Sequence, residues 1–165
     1  MVEGMGLGSI AEVGATFAGF IAIFVVFSGK EKKLPDADIL LAISMMKTSI
    51  LLTIFALAPF ALQGFVYIKA DMWRILSFLA GGALILAIIT QRRRERAMDS
   101  TWVKDIGVPT IIISYSIVLL AVLILWLNAF AVLDVSPASL YVVGLLLLLS
   151  SSALTFLIAV SARLR

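Results

Sequence analysis

The chain has 165 residues, of which 62% are hydrophobic and 14% are charged, and its net charge is +3. With a mean hydropathy of +1.15, it cannot cover itself with a soluble surface. The sequence contains neither cysteine nor histidine, which excludes disulfides, thiolate metal sites and the commonest acid–base residue. The composition predicts an integral membrane protein and argues against an enzyme, a cofactor site or a metal site.

Five apolar runs of membrane-spanning length follow one another along the chain. A helix needs about 20 residues to cross a hydrocarbon core of about 30 Å, and such continuous runs differ from the alternating strands of a membrane barrel. We predict a single all-α domain, a polytopic bundle of five transmembrane helices at about residues 9–28, 38–68, 72–90, 108–133 and 138–161. Four spans are the alternative, if part of the long second run lies in the membrane interface.

The basic residues predict the orientation of these spans. The connections "GKEKKLPDAD" and "QRRRERAMDSTWVKD" and the carboxyl-terminal tail are rich in lysine and arginine. Five spans place all three on one side, which the positive-inside rule assigns to the cytoplasm. We therefore expect an external amino terminus and a cytoplasmic carboxyl terminus in the plasma (inner) membrane, with the first run kept as an anchor. Aromatic residues near the outer ends fit this orientation, namely Tyr67, Trp73, Trp126 and Tyr141.

Lys47 interrupts the second apolar run, and two interpretations stay open. In the first, which we prefer, its long stem carries the amine to the cytoplasmic headgroups. In the second, the amine points into the bundle, where charges are normally paired and functional. Hydroxyl groups at matching depth would then complete a polar layer in the cytoplasmic half, although serines also act as helix-packing residues. They belong to Ser114, Tyr115, Ser116, Ser151 and Ser152.

A second polar layer is predicted near the outer face. Its members come from four different runs, with Thr16 beside Glu12 on the first: Glu12, Thr16, Gln63, Ser77 and Asn128. Glu12 is the only acidic residue that falls inside a predicted span and not at its first residue. It can simply reach water near the surface, or it can join a ring of carboxylates around the axis of a homo-oligomer, which would select cations.

The first run also carries small residues at helical spacing. Ala11, Ala15 and Gly19 recur at intervals of four, with Ala18 and Ala22 beside them. Such a face permits close approach of a second helix. We therefore expect the protein to form homo-oligomers.

A basic cluster follows the third run directly, and it consists of Arg92, Arg93, Arg94 and Arg96. It serves as a topology signal, and it is also a candidate site for anionic membrane lipids or for a cytoplasmic protein partner. The cluster is short and next to the membrane, so it does not indicate binding to nucleic acid.

Two functional classes follow from these features. The polar segments are too short to hold a soluble domain, so any activity must lie in the bilayer or in assembly. Our first expectation is a homo-oligomeric ion channel or pore-type transport subunit. The alternative is a non-conducting membrane adaptor or sensor subunit that signals to a cytoplasmic partner through residues 92–96.

Overall fold

The part of the chain that the structure describes forms five α-helices. A computed structural model describes residues 6–31, 36–62, 69–97 and 108–163, and no strand occurs among them. This confirms the predicted all-α class. The helices are α1 (Leu7–Glu31), α2 (Asp36–Leu62), α3 (Lys69–Ala97), α4 (Val108–Ala129) and α5 (Pro137–Arg163).

Four of the helices are long and apolar enough to cross a membrane. The qualifying stretches are Ala42–Leu62, Asp71–Arg96, Ile111–Ala129 and Pro137–Leu157, and the apolar stretch Leu7–Ile23 of α1 is shorter. Large apolar side chains cover the outside of the bundle, with Leu86 and Leu157 exposed by 64% and 63%. Such a surface suits lipid rather than water. These features are those of an integral membrane helical bundle.

Helices α2 to α5 form the core of the bundle. Each of them packs against the next, α5 closes the ring by packing against α2, and α3 also contacts α5 across the middle. Helix α1 packs mainly against α2 and less extensively against α5. It therefore lies outside the ring of four helices, while its Leu7, Ile10 and Ala11 side chains pack into the core.

The middle of this core is filled with apolar side chains. Its most completely buried members come from all four helices: Leu52, Ala56, Ala80, Ala121, Leu125, Leu145 and Leu148. Close packing at this level depends on glycine, because a Cβ atom at Gly81 would overlap the Trp126 indole and one at Gly144 would lie 2.7 Å from Leu125 Cδ2.

The third and fourth helices end at positions that differ from the predicted ones. Helix α3 continues to Ala97 instead of ending at residue 90, because basic side chains in a last turn interact favourably with the negative end of the helix dipole. Helix α4 ends at Ala129 instead of residue 133. There Ala131 takes φ of 53°, and the amide of Val132 donates to the carbonyl of Leu127. This hydrogen bond is that of a Schellman cap.

Two of the aromatic residues expected in the outer headgroup region are buried inside the bundle instead. Trp73 is 6% and Tyr141 is 0% exposed, and their ring centroids lie 5.5 Å apart. Their rings pack between helices. Trp126 is half-buried, and Tyr67 lies outside the described residues.

Candidate functional sites in the bundle

Asn128 connects three helices at the end of the bundle where α4 finishes and α5 begins. Its Nδ2 donates to Ser77 Oγ and to the carbonyl oxygen of Pro137, both at 2.7 Å. Asn128 and Ser77 are almost completely buried, and a buried amide is stabilised when its hydrogen bonds are made. Two members of the predicted outer layer therefore meet, and they join α3 and α4 to the start of α5.

The other members of that layer do not meet Asn128. Glu12 and Thr16 are exposed on the outside of α1, and the Thr16 hydroxyl donates to the carbonyl oxygen of Glu12 at 2.7 Å. Gln63 lies outside the described residues. The structure therefore does not bring these residues into one layer, because α1 stands outside the ring of four helices.

The small residues of α1 divide between two faces. Ala11 is buried and Ala18 is half-buried, so these two pack within the chain. The exposed small residues form a stripe together with Glu12, and successive members of the stripe are alternately four and three residues apart in the sequence. We call this the α1 stripe, and it consists of Gly8, Glu12, Ala15, Gly19 and Ala22. This spacing lets two helices pack along their length.

The hydroxyl layer predicted for the cytoplasmic half is only partly buried. Ser151 and Ser152 are buried in α5, whereas Ser114 is half-buried and Ser116 is exposed on α4. The Oγ atom of Ser152 is buried, and it has no hydrogen-bond partner among the described residues. No hydrogen bond among those residues links these serines to Lys47.

Lys47 is half-exposed on α2. Leu51, one turn further along this side of the helix, packs against the core. The two interpretations of Lys47 stay predictions.

A buried carboxylate joins the end of α3 to the first half of α4. The side chain of Glu95 is 8% exposed. Its Oε1 accepts a hydrogen bond of 2.5 Å from the Tyr115 hydroxyl, and its Oε2 accepts one of 3.3 Å from Arg92 Nη1. The Arg92 guanidinium also lies 4.0 Å from the centroid of the Tyr115 ring, which is a cation–π contact. We call Arg92, Glu95 and Tyr115 the inner cluster.

Sequence reasoning found Tyr115 and Arg92 but missed Glu95. The prediction ended the third span at residue 90, so Glu95 was counted with the polar connection. The spacing of the buried residues could have revealed it, because Leu84, Gln91 and Glu95 continue one helical face. Glu12 is therefore not the only acidic residue in a membrane-length helix. Gln91 is also buried, and its Oε1 has no hydrogen-bond partner among the described residues.

The four arginines of the basic cluster occupy different environments. All four are exposed on α3, but Arg92 is also held by the inner cluster, with its side chain 51% exposed. Successive helical residues are rotated by about 100°, so Arg92 and Arg94 flank the buried face of α3 from opposite sides and Arg93 points away from it.

Comparisons of the chain with protein-family models, with curated proteins and with solved structures found no significant match.

Proposed function

We propose that the protein is a subunit of a homo-oligomeric ion channel or pore in the cell membrane. The observation that carries the proposal is the exposure of Glu12 within the α1 stripe, on the helix that lies outside the ring of four helices. Copies of the protein would meet along α1, and the Glu12 carboxylates would then line a path between the copies.

The packing of the single chain supports a path between copies rather than through one chain. Most of the buried side chains of the α2 to α5 core are apolar in the described residues, and moving an ion through such a medium is very costly. The small residues on either side of Glu12 allow helices to approach closely. A ring of carboxylates near the outer entrance would favour cations over anions.

Assembly along α1 can be tested with substitutions that enlarge the stripe. Ala15→Leu and Gly19→Leu should each shift the protein in mild detergent toward the monomer, as measured by light scattering. Ala61 is a small residue exposed on α2, so Ala61→Leu is a matched control that should leave the oligomer unchanged. A native protein that is monomeric in both detergent and lipid would exclude this arrangement.

Conduction can be tested in liposomes that contain the purified protein. We expect a cation flux that Glu12→Gln reduces, with a loss of preference for cations over anions. Asp134 is an exposed acid in the connection between α4 and α5, so Asp134→Asn is a control for the loss of one negative charge and should leave the flux unchanged. Absence of flux from the native oligomer contradicts a channel.

The adaptor function is a second candidate, supported by the exposed basic end of α3. Glu95 turns into the bundle, so the outward side chains there are the cations Arg93, Arg94 and Arg96. A negatively charged cytoplasmic protein could bind this surface. Cross-linking in cells should then trap a partner that Arg93→Glu with Arg96→Glu releases, in a protein that conducts no ions.

A further inference from the structure

We propose that Gln91, Glu95 and Tyr115 form a binding site for a small cation of the guanidinium type, and that the side chain of Arg92 is the tethered occupant of this site. The site lies within one chain, where the end of α3 meets the first half of α4. The channel proposed above depends on α1 and on contacts between copies, so the two proposals can fail separately.

The guanidinium of Arg92 shows which chemistry the site accepts. Its Nη1 donates to Glu95 Oε2 at 3.3 Å, and its central carbon lies 4.0 Å from the centroid of the Tyr115 ring. A carboxylate at the edge and an aromatic ring at the face are the contacts that a planar cation with N–H groups makes best. A free guanidinium ion presents the same plane and the same N–H groups.

Glu95 holds Arg92 through one nitrogen of the guanidinium. The described contact uses Nη1 alone, whereas an arginine and a carboxylate can form two parallel hydrogen bonds. The Arg92 side chain is 51% exposed and that of Glu95 is 8% exposed, so the cation can move away while the carboxylate stays buried. Removing Arg92 alone leaves a buried charge unpaired, which is costly, but exchanging it for another guanidinium keeps Glu95 paired.

Gln91 offers a further acceptor beside the carboxylate. Gln91 and Glu95 are one turn apart on α3, so their side chains are neighbours on one face of the helix, and both are buried with 8% exposure. The Oε1 atom of Gln91 has no hydrogen-bond partner among the described residues, although a buried acceptor is normally paired with a donor. A guanidinium ion bound to Glu95 has N–H groups to spare, and one of them can donate to Gln91 Oε1.

Tyr115 orients the carboxylate for this role. Its hydroxyl donates to Glu95 Oε1 at 2.5 Å, which fixes the carboxylate and leaves Oε2 to the cation. An ionised carboxylate accepts hydrogen bonds from about four directions, so these two contacts do not exhaust its capacity. The same tyrosine also presents the face of its ring to the cation. Edge, face and a third acceptor are thus supplied by Glu95, Tyr115 and Gln91.

The proposal is tested by measuring the binding of radiolabelled guanidinium to the full-length protein in mild detergent, at constant ionic strength. The native protein should bind it saturably. Arg92→Ala should bind it at least about tenfold more tightly, because the tethered competitor is gone. Glu95→Gln should weaken binding at least about tenfold through loss of the charged acceptor, and Gln91→Leu by about two- to tenfold through loss of the neutral one.

Arg93→Gln is the matched control, because it removes the same charge from the neighbouring position and should leave the affinity unchanged. Tetramethylammonium carries the same charge as guanidinium but has no N–H groups, so it should compete poorly. Equal competition by tetramethylammonium, or an equal gain of affinity in Arg93→Gln and Arg92→Ala, would overturn the site. Absence of saturable binding to the native protein, or full binding to Glu95→Gln, would also overturn it, and these two measurements do not require Arg92→Ala to fold.

Discussion

The hydroxyl of Tyr141 on α5 donates a hydrogen bond of 2.6 Å to the backbone carbonyl oxygen of Phe55 on α2. This carbonyl lacks its usual helical donor, because the residue four positions later is Pro59, which has no N–H group. Tyr141 therefore replaces the missing helical hydrogen bond from a neighbouring helix. Its ring is buried against Trp73, so the replacement also fixes how α2 packs on α5.

We predict that Tyr141→Phe destabilises the protein by about 0.5–2 kcal/mol, because the buried carbonyl of Phe55 then has no donor. Pro59→Ala restores an N–H group at the right position in α2. The cost of Tyr141→Phe should therefore be smaller in the Pro59→Ala background. The four proteins form a double-mutant cycle, to be measured by unfolding in detergent. Equal costs in both backgrounds would mean that the proline and the tyrosine are not coupled.

Gly81 and Gly82 provide a matched pair of substitutions in α3. A Cβ atom at Gly81 would overlap the indole of Trp126, whereas one at Gly82 has no atom within 4 Å. Gly81→Ala should cost about 1–3 kcal/mol by displacing the indole and should change tryptophan fluorescence. Gly82→Ala should stabilise α3 by up to about 1 kcal/mol through helix propensity. If the Gly81→Ala protein is as stable as the native one, α3 and α4 can move apart at this position without a loss of free energy of unfolding.

The sequence predicted the helices well because their signal is strong and local. Apolar runs of about 20 residues are interpreted directly as membrane helices, and each predicted run overlaps one observed helix. The ends were less predictable. Helix α4 stops at a cap in which Ala131 adopts a left-handed conformation, and alanine at this position gives no signal in the sequence, since glycine is the usual residue there.

The side-chain environments were harder to predict, because they depend on which face of a helix meets a neighbour. Ser77 and Asn128 were placed correctly at the same depth, and they are in contact. Glu12 was given the same depth, but α1 lies outside the ring of four helices and keeps it exposed. Tyr115 was included in a layer of serines, whereas its partners are Glu95 and Arg92 on the adjacent helix. The depth of a residue along a helix follows from counting residues in the sequence. The contacts of its side chain also depend on which helices pack against that face.

The inner cluster should contribute to stability through its buried carboxylate. We predict that Tyr115→Phe destabilises the protein by about 1–3 kcal/mol, because Glu95 loses a donor while its charge stays buried. Arg92→Gln should also destabilise it, since the ion pair and the contact with the Tyr115 ring are lost together. The control is Arg93→Gln on the exposed side, which should change the free energy of unfolding by less than about 0.5 kcal/mol. A Tyr115→Phe protein as stable as the native one would contradict this role.

The cap of α4 offers a stabilising substitution. Ala131 has φ of 53°, a region that alanine occupies at a cost and glycine does not. Ala131→Gly should therefore raise the free energy of unfolding by up to about 1 kcal/mol. Ala129→Gly, within the last turn of α4, should lower it by a similar amount because glycine weakens a helix. If both substitutions destabilise the protein, the left-handed cap does not form.

The orientation in the membrane can be tested with reporter fusions, and the result depends on α1. The apolar stretch found in the described residues of α1 is Leu7–Ile23, and it is shorter than the apolar stretches of the other four helices. However, the whole helix runs for 25 residues, or about 37 Å at the helical rise, which is enough to cross a membrane. We predict that a reporter fused before residue 1 is external and that one fused after Arg165 is cytoplasmic.

Fusions in the connections at residues 32–35, 63–68, 98–107 and 130–136 should then alternate between cytoplasmic and external, starting on the cytoplasmic side. The physical reason is the accumulation of lysine and arginine in the first connection, in the last turns of α3 before the third connection, and in the tail. If α1 lies along the interface, the fusion before residue 1 moves to the cytoplasmic side and the other positions stay unchanged. That single change would reduce the count to four spans, and it would also remove Glu12 from any path across the membrane.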